Sequence, residues 1–143
     1  MNSIPPKIEA VLALGRTTAL ETLGVEILAI DDEHTLLSVP ITPKICQPAG
    51  LLHGGISMFL AETAASLHCA YLVDLTQVAP VGIEINGSHL SSAAEGTVWA
   101  EARVLNRARS LIVHEVNVTL LEEEKLLTRA RVTNYLKRLS NSR

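Results

Sequence analysis

The chain has 143 residues, 48% of them hydrophobic and 19% charged, with a formal net charge of -3. That length suits one domain with its own core, and the slight excess of acid over base leaves no electrostatic footprint for nucleic acid. Only four side chains are aromatic, Phe59, Tyr71, Trp99 and Tyr135, so the core must be built from Leu, Val, Ile and Ala. A mean hydropathy of +0.27 is high for so short a chain and hints that apolar surface is hidden by self-association.

Pro5-Pro6 followed by Ile8 to Leu14 predicts a short leading helix closing near Gly15, so residues 1–22 read as a helical lead-in. Gly24 to Ile30 and Thr35 to Ile41 predict two strands joined by a turn at Asp31-Asp32. Residues 43–50, with two prolines, form a loop, after which a long apolar helix opens at Gly54 and Gly55 and fades near Asp74. Leu51 to Val73 is about as long as the ~20 residues of a membrane span. It nevertheless carries Glu62, two histidines and several hydroxyls, which favours a helix buried inside protein.

Val78 to Leu90, Thr97 to Arg107, Leu111 to Leu121 and Leu126 to Leu136 then read as β-rich runs. Val98, Ala100, Ala102 and Val104 alternate with Thr97, Glu101 and Arg103, the period of a half-buried strand. Glu122 to Lys125 reads as a solvated hairpin turn and residues 138–143 as a flexible tail. No repeat, low-complexity tract or linker divides residues 1–143, which are read as one α+β domain: an antiparallel sheet wrapped around one long helix. Two cysteines without CxxC spacing, and an N-terminus without a secretion signal, point to the cytoplasm.

Glu62 is the one formally charged side chain of the long helix. Ile56, Phe59, Leu60, Thr63, Leu67 and Tyr71 fall on one broad face and Ala61, Ala65 and Cys69 elsewhere, so no side resembles a normal charged surface. Burying an unpaired carboxylate costs several kcal/mol, so Glu62 must be paired, hydrogen-bonded or functional, unless the helix is open enough there for it to reach solvent or an arginine. Ser66, four residues on, points the same way.

Just upstream, His53-Gly54-Gly55 opens the helix, and unpaired N–H groups at a helix N-terminus suit a developing oxyanion. Gln47 adds a neutral amide six residues earlier. Eight residues from Gly54 to Glu62 correspond to roughly 12 Å along a helix, whereas reacting atoms must approach to about 3 to 3.5 Å. One helix can hardly present both groups to one carbonyl. The expected site is therefore shared between two chains: Gly54, Gln47 and His53 from one, Glu62 and Ser66 from the other. His68 and Cys69 are adjacent and diverge by about 100°, and His34 and His114 have no clustered partners in sequence, so no metal is expected.

QPAGLLHGGISMFLAETAAS, residues 47–66, with VGIEINGSHL, residues 81–90, resembles the hotdog-fold acyl-CoA thioesterases. The likeness is greatest to the branch acting on aryl-CoA, including the 1,4-dihydroxy-2-naphthoyl-CoA thioesterases of quinone biosynthesis and the proofreading thioesterases of enterobactin synthesis. The resemblance spans nearly all the chain after Thr22 and implies a hotdog fold and hydrolysis of an acyl-CoA, preferably aryl, to free acid and CoA, with no cofactor. It also implies a homo-oligomer, with a dimer as minimal active unit and a homotetramer as the expected assembly, and neither membrane nor nucleic acid as partner. Glu62 then matches the nucleophile or general base, Gly54 the N–H that polarises the carbonyl, Gln47 and His53 polar groups around it, and Ser66 the supporting hydroxyl. His89 falls where relatives place a histidine near the acyl ring. Two departures concern the CoA tail: Ser91 stands where relatives often carry Arg, and Arg107, Arg109 and Ser110 could contact phosphates or simply face solvent. Rival readings are a non-catalytic acyl-CoA binding module, a hotdog dehydratase or hydratase, and a thioesterase for aliphatic or phenylacetyl-type acyl-CoA.

Overall fold

The computed structural model describes residues 4–13 and 18–140. Two short helices, α1 (Pro6–Leu12) and α2 (Ala19–Leu23), precede strands β1 (Glu26–Ile30) and β2 (His34–Pro40). The long helix α3 (Gly54–Leu72) follows, then β3 (Val78–His89), β4 (Thr97–Arg107), β5 (Leu111–Leu120) and β6 (Lys125–Arg138). The predicted end of the first helix near Gly15 lies outside the described residues; the described part ends at Leu12. α2 was not predicted and is held by the Thr18 hydroxyl, which accepts from Glu21 N–H at 3.3 Å. β6 runs two residues past its predicted end, and Leu139 N–H still donates to Gln77 O at 2.9 Å.

All pairings are antiparallel, in the order β1-β2-β4-β5-β6-β3, so β3 lies at one edge, beside the last strand of the chain. α3 crosses this sheet and touches all six strands. Strict alternation drives the packing: in β5, Ile112, His114, Val116, Val118 and Leu120 point inward and their neighbours outward. The side of α3 against the sheet is the small one, with Ala61, Ala64, Ala65 and Cys69 inaccessible to solvent. Small side chains let the helix approach closely, and Leu37, Leu60, Leu127 and Ile112 fill the remaining space, each contributing about 1.5–3 kcal/mol by burial.

The broad face of Ile56, Phe59 and Thr63 is only half buried, and Glu62 is exposed. The expected antiparallel sheet around one long helix is present; its six strands cover one flank of α3 and leave a stripe open, on which Glu62 reaches solvent. No described helix is long and apolar enough to cross a membrane. At the C-terminus of α3, Lys7 Nζ donates to Tyr71 O and Val73 O, and Arg107 Nη2 donates to Leu72 O at 3.1 Å. Cations thus meet the last carbonyls of the helix, whose positive end is at Gly54. The Glu122–Lys125 turn is only partly a free solvated loop, because the Glu122 carboxylate accepts Thr97 N–H at 2.9 Å.

Contrary to expectation, His114 does have a partner. His68 Nε2 lies 3.0 Å from Asp31 O and His68 Nδ1 lies 3.0 Å from His114 Nε2, tying α3 to β5 and to the turn after β1. A carbonyl only accepts, so His68 carries its proton on Nε2, its Nδ1 accepts, and His114 Nε2 must donate. His114 Nδ1 is left as a buried lone pair with no partner among the described residues. Burial, helped by the nearby His68, pushes His114 from its ordinary 6.5 down to about 4. Burial also lowers His68, although the Asp31 carbonyl and the Asp31 and Asp32 charges oppose it. Both thiols are free, and burial raises that of Cys69 to about 11, which leaves it unreactive.

The unfolded chain takes up protons near pH 6.5 that the folded His114 refuses until about pH 4. Stability is therefore full above about pH 6.5 and is lost as pH falls toward 4, by roughly 3 kcal/mol from His114 alone. Urea melts at pH 7, 6 and 5 should show this decline, and His114→Leu should flatten it. Equal slopes in the two proteins would contradict the assignment.

Candidate active site

The first turn of α3 explains both glycines sterically. His53 caps the helix, its Nδ1 accepting Gly55 N–H at 2.8 Å. A Cβ on Gly55 would lie 3.0 Å from that same Nδ1. A Cβ on Gly54 would lie 2.6 Å from His89 Nε2, so the His89 ring occupies the space where any other side chain would begin. Ile56 and Ser57 N–H donate to His53 O, at 2.9 and 3.3 Å. Among the described residues nothing accepts from Gly54 N–H, and this free donor sits at the positive end of a 19-residue helix.

Gln47, Gly54, Ser57, His89, Ser91 and Thr128 line a cavity of about 220 Å³ at this end. Gln47 reaches it from a tight turn in which its Oε1 accepts Ala49 N–H and its carbonyl accepts Gly50 N–H at 2.8 Å. His89 Nδ1 lies 2.9 Å from Thr128 Oγ1, and Thr128 is buried in β6 directly opposite His89. Ser91 Oγ donates to Leu126 O at 2.7 Å, closing the loop that leaves β3. His89 thus belongs with Gly54.

Glu62 and Ser66 lie two to three turns further along, in a second, larger groove of about 450 Å³. Val11, Phe59, Leu67, Ala70, Leu75 and Pro80 make most of its walls, so an apolar trough ends beside one carboxylate. A Cβ on Gly82 would lie 2.6 Å from Glu62 Oε1 and 3.8 Å from Asn134 Nδ2. Asn134 is fully buried, and its Nδ2 donates to Ser66 Oγ at 3.1 Å. Within one chain the predicted residues therefore form two separate groups, Gln47, His53, Gly54 and His89 at the helix start and Glu62 with Ser66 along its open stripe.

Both groups depend on a bulge in β3. Gly82 pairs with Asn134 and Glu84 with Thr133, so Ile83 is an extra residue in the ladder. In a regular strand Gly82 and His89, seven apart, would face opposite sides of the sheet. The added residue turns both toward α3, opposite Asn134 and Thr128, which share one face of β6. Gly82, Thr128 and Asn134 were not among the predicted site residues. A glycine inside a strand run is a recognised sign of a bulge or close approach and could have flagged Gly82, whereas nothing local distinguishes Asn134.

Arg107, Arg109 and Ser110 lie at the other end of the molecule. Arg107 is engaged with Leu72 O at the C-terminus of α3, roughly 27 Å along the helix from Gly54 by its ~1.5 Å rise per residue, and Arg109 and Ser110 are exposed in the β4–β5 connection. They do not meet the Gly54 cavity of their own chain.

A family model for the thioesterase superfamily matches residues 49–127. The chain is 38% identical over 118 residues to the 1,4-dihydroxy-2-naphthoyl-CoA hydrolase of Listeria monocytogenes, covering 82% of this chain and 94% of that protein. It is 32% identical over 126 residues to the 1,4-dihydroxy-2-naphthoyl-CoA hydrolase of Escherichia coli, covering 88% of this chain and 91% of the relative. The crystal structure of a thioesterase from Haemophilus influenzae superposes with a TM-score of 0.86 at 30% identity, covering 99% of this chain and 97% of the other. With its antiparallel sheet packed on one long helix, the chain belongs to the thioesterase superfamily, as a hotdog-fold thioester hydrolase.

Proposed function

We propose that the chain hydrolyses an acyl-CoA thioester, with an aryl acyl group as the favoured substrate, in a site assembled from two copies. The observation that carries this reading is the division of the polar groups between two cavities on one helix. A free N–H at the helix start suits a thioester oxygen that becomes negative during attack. Glu62, the only carboxylate in the apolar groove among the described residues, suits activation of water or direct attack, but lies roughly 12 Å along the helix from that N–H.

A second copy resolves the separation. β3 is twelve residues long, lies at the sheet edge, and leaves Val81 and Ile83 42% and 57% exposed. Such an edge invites another strand. Antiparallel pairing of β3 with its own copy, about a two-fold axis near Ile85, brings the Gly82 end of each strand beside the His89 end of its partner. Glu62, against Gly82, then approaches the Gly54 cavity of the other subunit.

In that arrangement the thioester oxygen accepts from Gly54 N–H, with Gln47 and His89 beside it. Glu62 takes a proton from water as the water oxygen bonds to the carbonyl carbon. The tetrahedral adduct then expels the sulfur of CoA, which leaves as thiol after receiving that proton. Direct attack by Glu62 would instead give an anhydride, and single turnover in labelled water separates the routes, because only the anhydride route puts label into Glu62. The walls of Val11, Phe59, Leu67 and Leu75 suit a flat apolar acyl group, in keeping with two relatives named as naphthoyl-CoA hydrolases.

Across a panel of aryl and aliphatic CoA thioesters, kcat/KM should be highest for a bicyclic aryl thioester. Preference for long aliphatic thioesters would reverse the substrate assignment. Glu62→Gln should lower kcat by about 10²- to 10⁴-fold with an unchanged melting temperature. Gly54→Asp, which drives a side chain into the His89 ring, should be similarly impaired. Mixing these two inactive variants under conditions of subunit exchange should restore about a quarter of wild-type activity, since half the dimers are mixed and one of their two sites is intact. No recovery in verified mixed dimers would overturn the shared site.

A further inference from the structure

We infer that Asn134 is a positioning residue of this hydrolase: from behind the sheet-facing side of α3 it holds the Ser66 hydroxyl so that its proton is directed at the groove containing Glu62. This rests on the proposal that Glu62 performs the chemistry. Asn134 occupies an inward position of β6, in line with Ala130 and Val132, and is wholly buried. An amide there is costly unless fully hydrogen-bonded, and this one is not, because Oδ1 has no partner among the described residues. Packing alone would favour another aliphatic residue.

The direction of its one hydrogen bond follows from the same vacancy. Turning the amide over would leave both of its buried N–H donors without an acceptor instead of one, a less tolerated state than an unpartnered carbonyl. Nδ2 therefore donates and Ser66 Oγ accepts, at 3.1 Å. A serine within a helix commonly spends its own proton on the carbonyl four residues back, here that of Glu62. No such bond is formed, and among the described residues the Ser66 hydroxyl donates to nothing. Its proton is free for the groove that Ser66 shares with Glu62.

Gly82 completes the arrangement. It lies directly across from Asn134 in the ladder, and the space of its missing side chain is bordered by both Glu62 Oε1 and Asn134 Nδ2. The bulge at Ile83 and the absence of a Cβ thus let the carboxylate, the amide and the hydroxyl converge. The donor order runs from Asn134 to Ser66 and on to the carboxylate or to the water it activates.

The test is a kinetic cycle in the intact protein with the best CoA thioester of the panel. Asn134→Leu, close in size but unable to donate, should lower kcat at least about tenfold while KM stays within about twofold, as expected for a contact that matters in the transition state. Asn134→Thr, which keeps a donor, should recover much of the loss. Because Asn134 acts through Ser66, the double variant Asn134→Leu/Ser66→Ala should be no slower than Ser66→Ala alone. If Asn134→Leu does not melt cooperatively, Asn134→Ala and Asn134→Thr provide the same comparison. Normal kcat in folded Asn134→Leu or Asn134→Ala, or losses that multiply in the double variant, would overturn the inference while leaving the hydrolase reading intact. A wild-type protein inert toward every thioester, or unaffected by Glu62→Gln, would overturn that reading and this inference with it.

Discussion

The contact between α3 and the sheet sets the position of everything else. Alanines at 61, 64 and 65, together with Cys69, allow the helix to lie so close that all six strands reach it. Apart from His68, which reaches His114 of β5 within the core, the polar groups of the helix lie at its start and along the open stripe beside β3. Lys7 and Arg107 meet the carbonyls at its far end, while the near end keeps one unspent N–H. The helix therefore serves as core, scaffold and oriented dipole at once.

Close approach recurs around the site. Gly55 leaves room for the capping ring of His53, Gly54 for the ring of His89, and Gly82 for the carboxylate of Glu62. In each case a backbone without Cβ meets a polar side chain, and for Gly54 and Gly82 that side chain comes from another element. β6 stands behind both halves, with Thr128 against His89 and Asn134 against Ser66. A single strand thus carries two buried polar residues on one face, one holding His89 beside the start of the helix and the other holding Ser66 beside the carboxylate.

The elements were largely legible in the sequence because period-two alternation and a long apolar helix are local signals. The strands fall within a few residues of their predicted ends, and HGG was read as a helix start, whereas the His89 ring that fills the space beside Gly54 arrives from a distant strand. α2 escaped notice because five residues leave little periodicity. The His68–His114 pair escaped because the two residues are 46 apart and meet only when β5 crosses the helix. Which alternative holds for Glu62 was not legible, because a pattern of apolar residues does not say which flank of a helix its own sheet will cover; the structure places it on an open stripe.

The sequence by itself determined the order of strands and helix along the chain, the lone carboxylate in an apolar helix, and the roughly 12 Å along the axis that keeps it from the helix start. These follow from residue type and spacing, which act within a few turns of the backbone. Only the tertiary structure decided that β3 pairs with β6 and forms the edge, that the bulge at Ile83 turns Gly82 and His89 to the same side, and that Asn134 reaches Ser66. Those outcomes depend on register between segments distant in the chain, where one extra residue reverses the face a side chain presents.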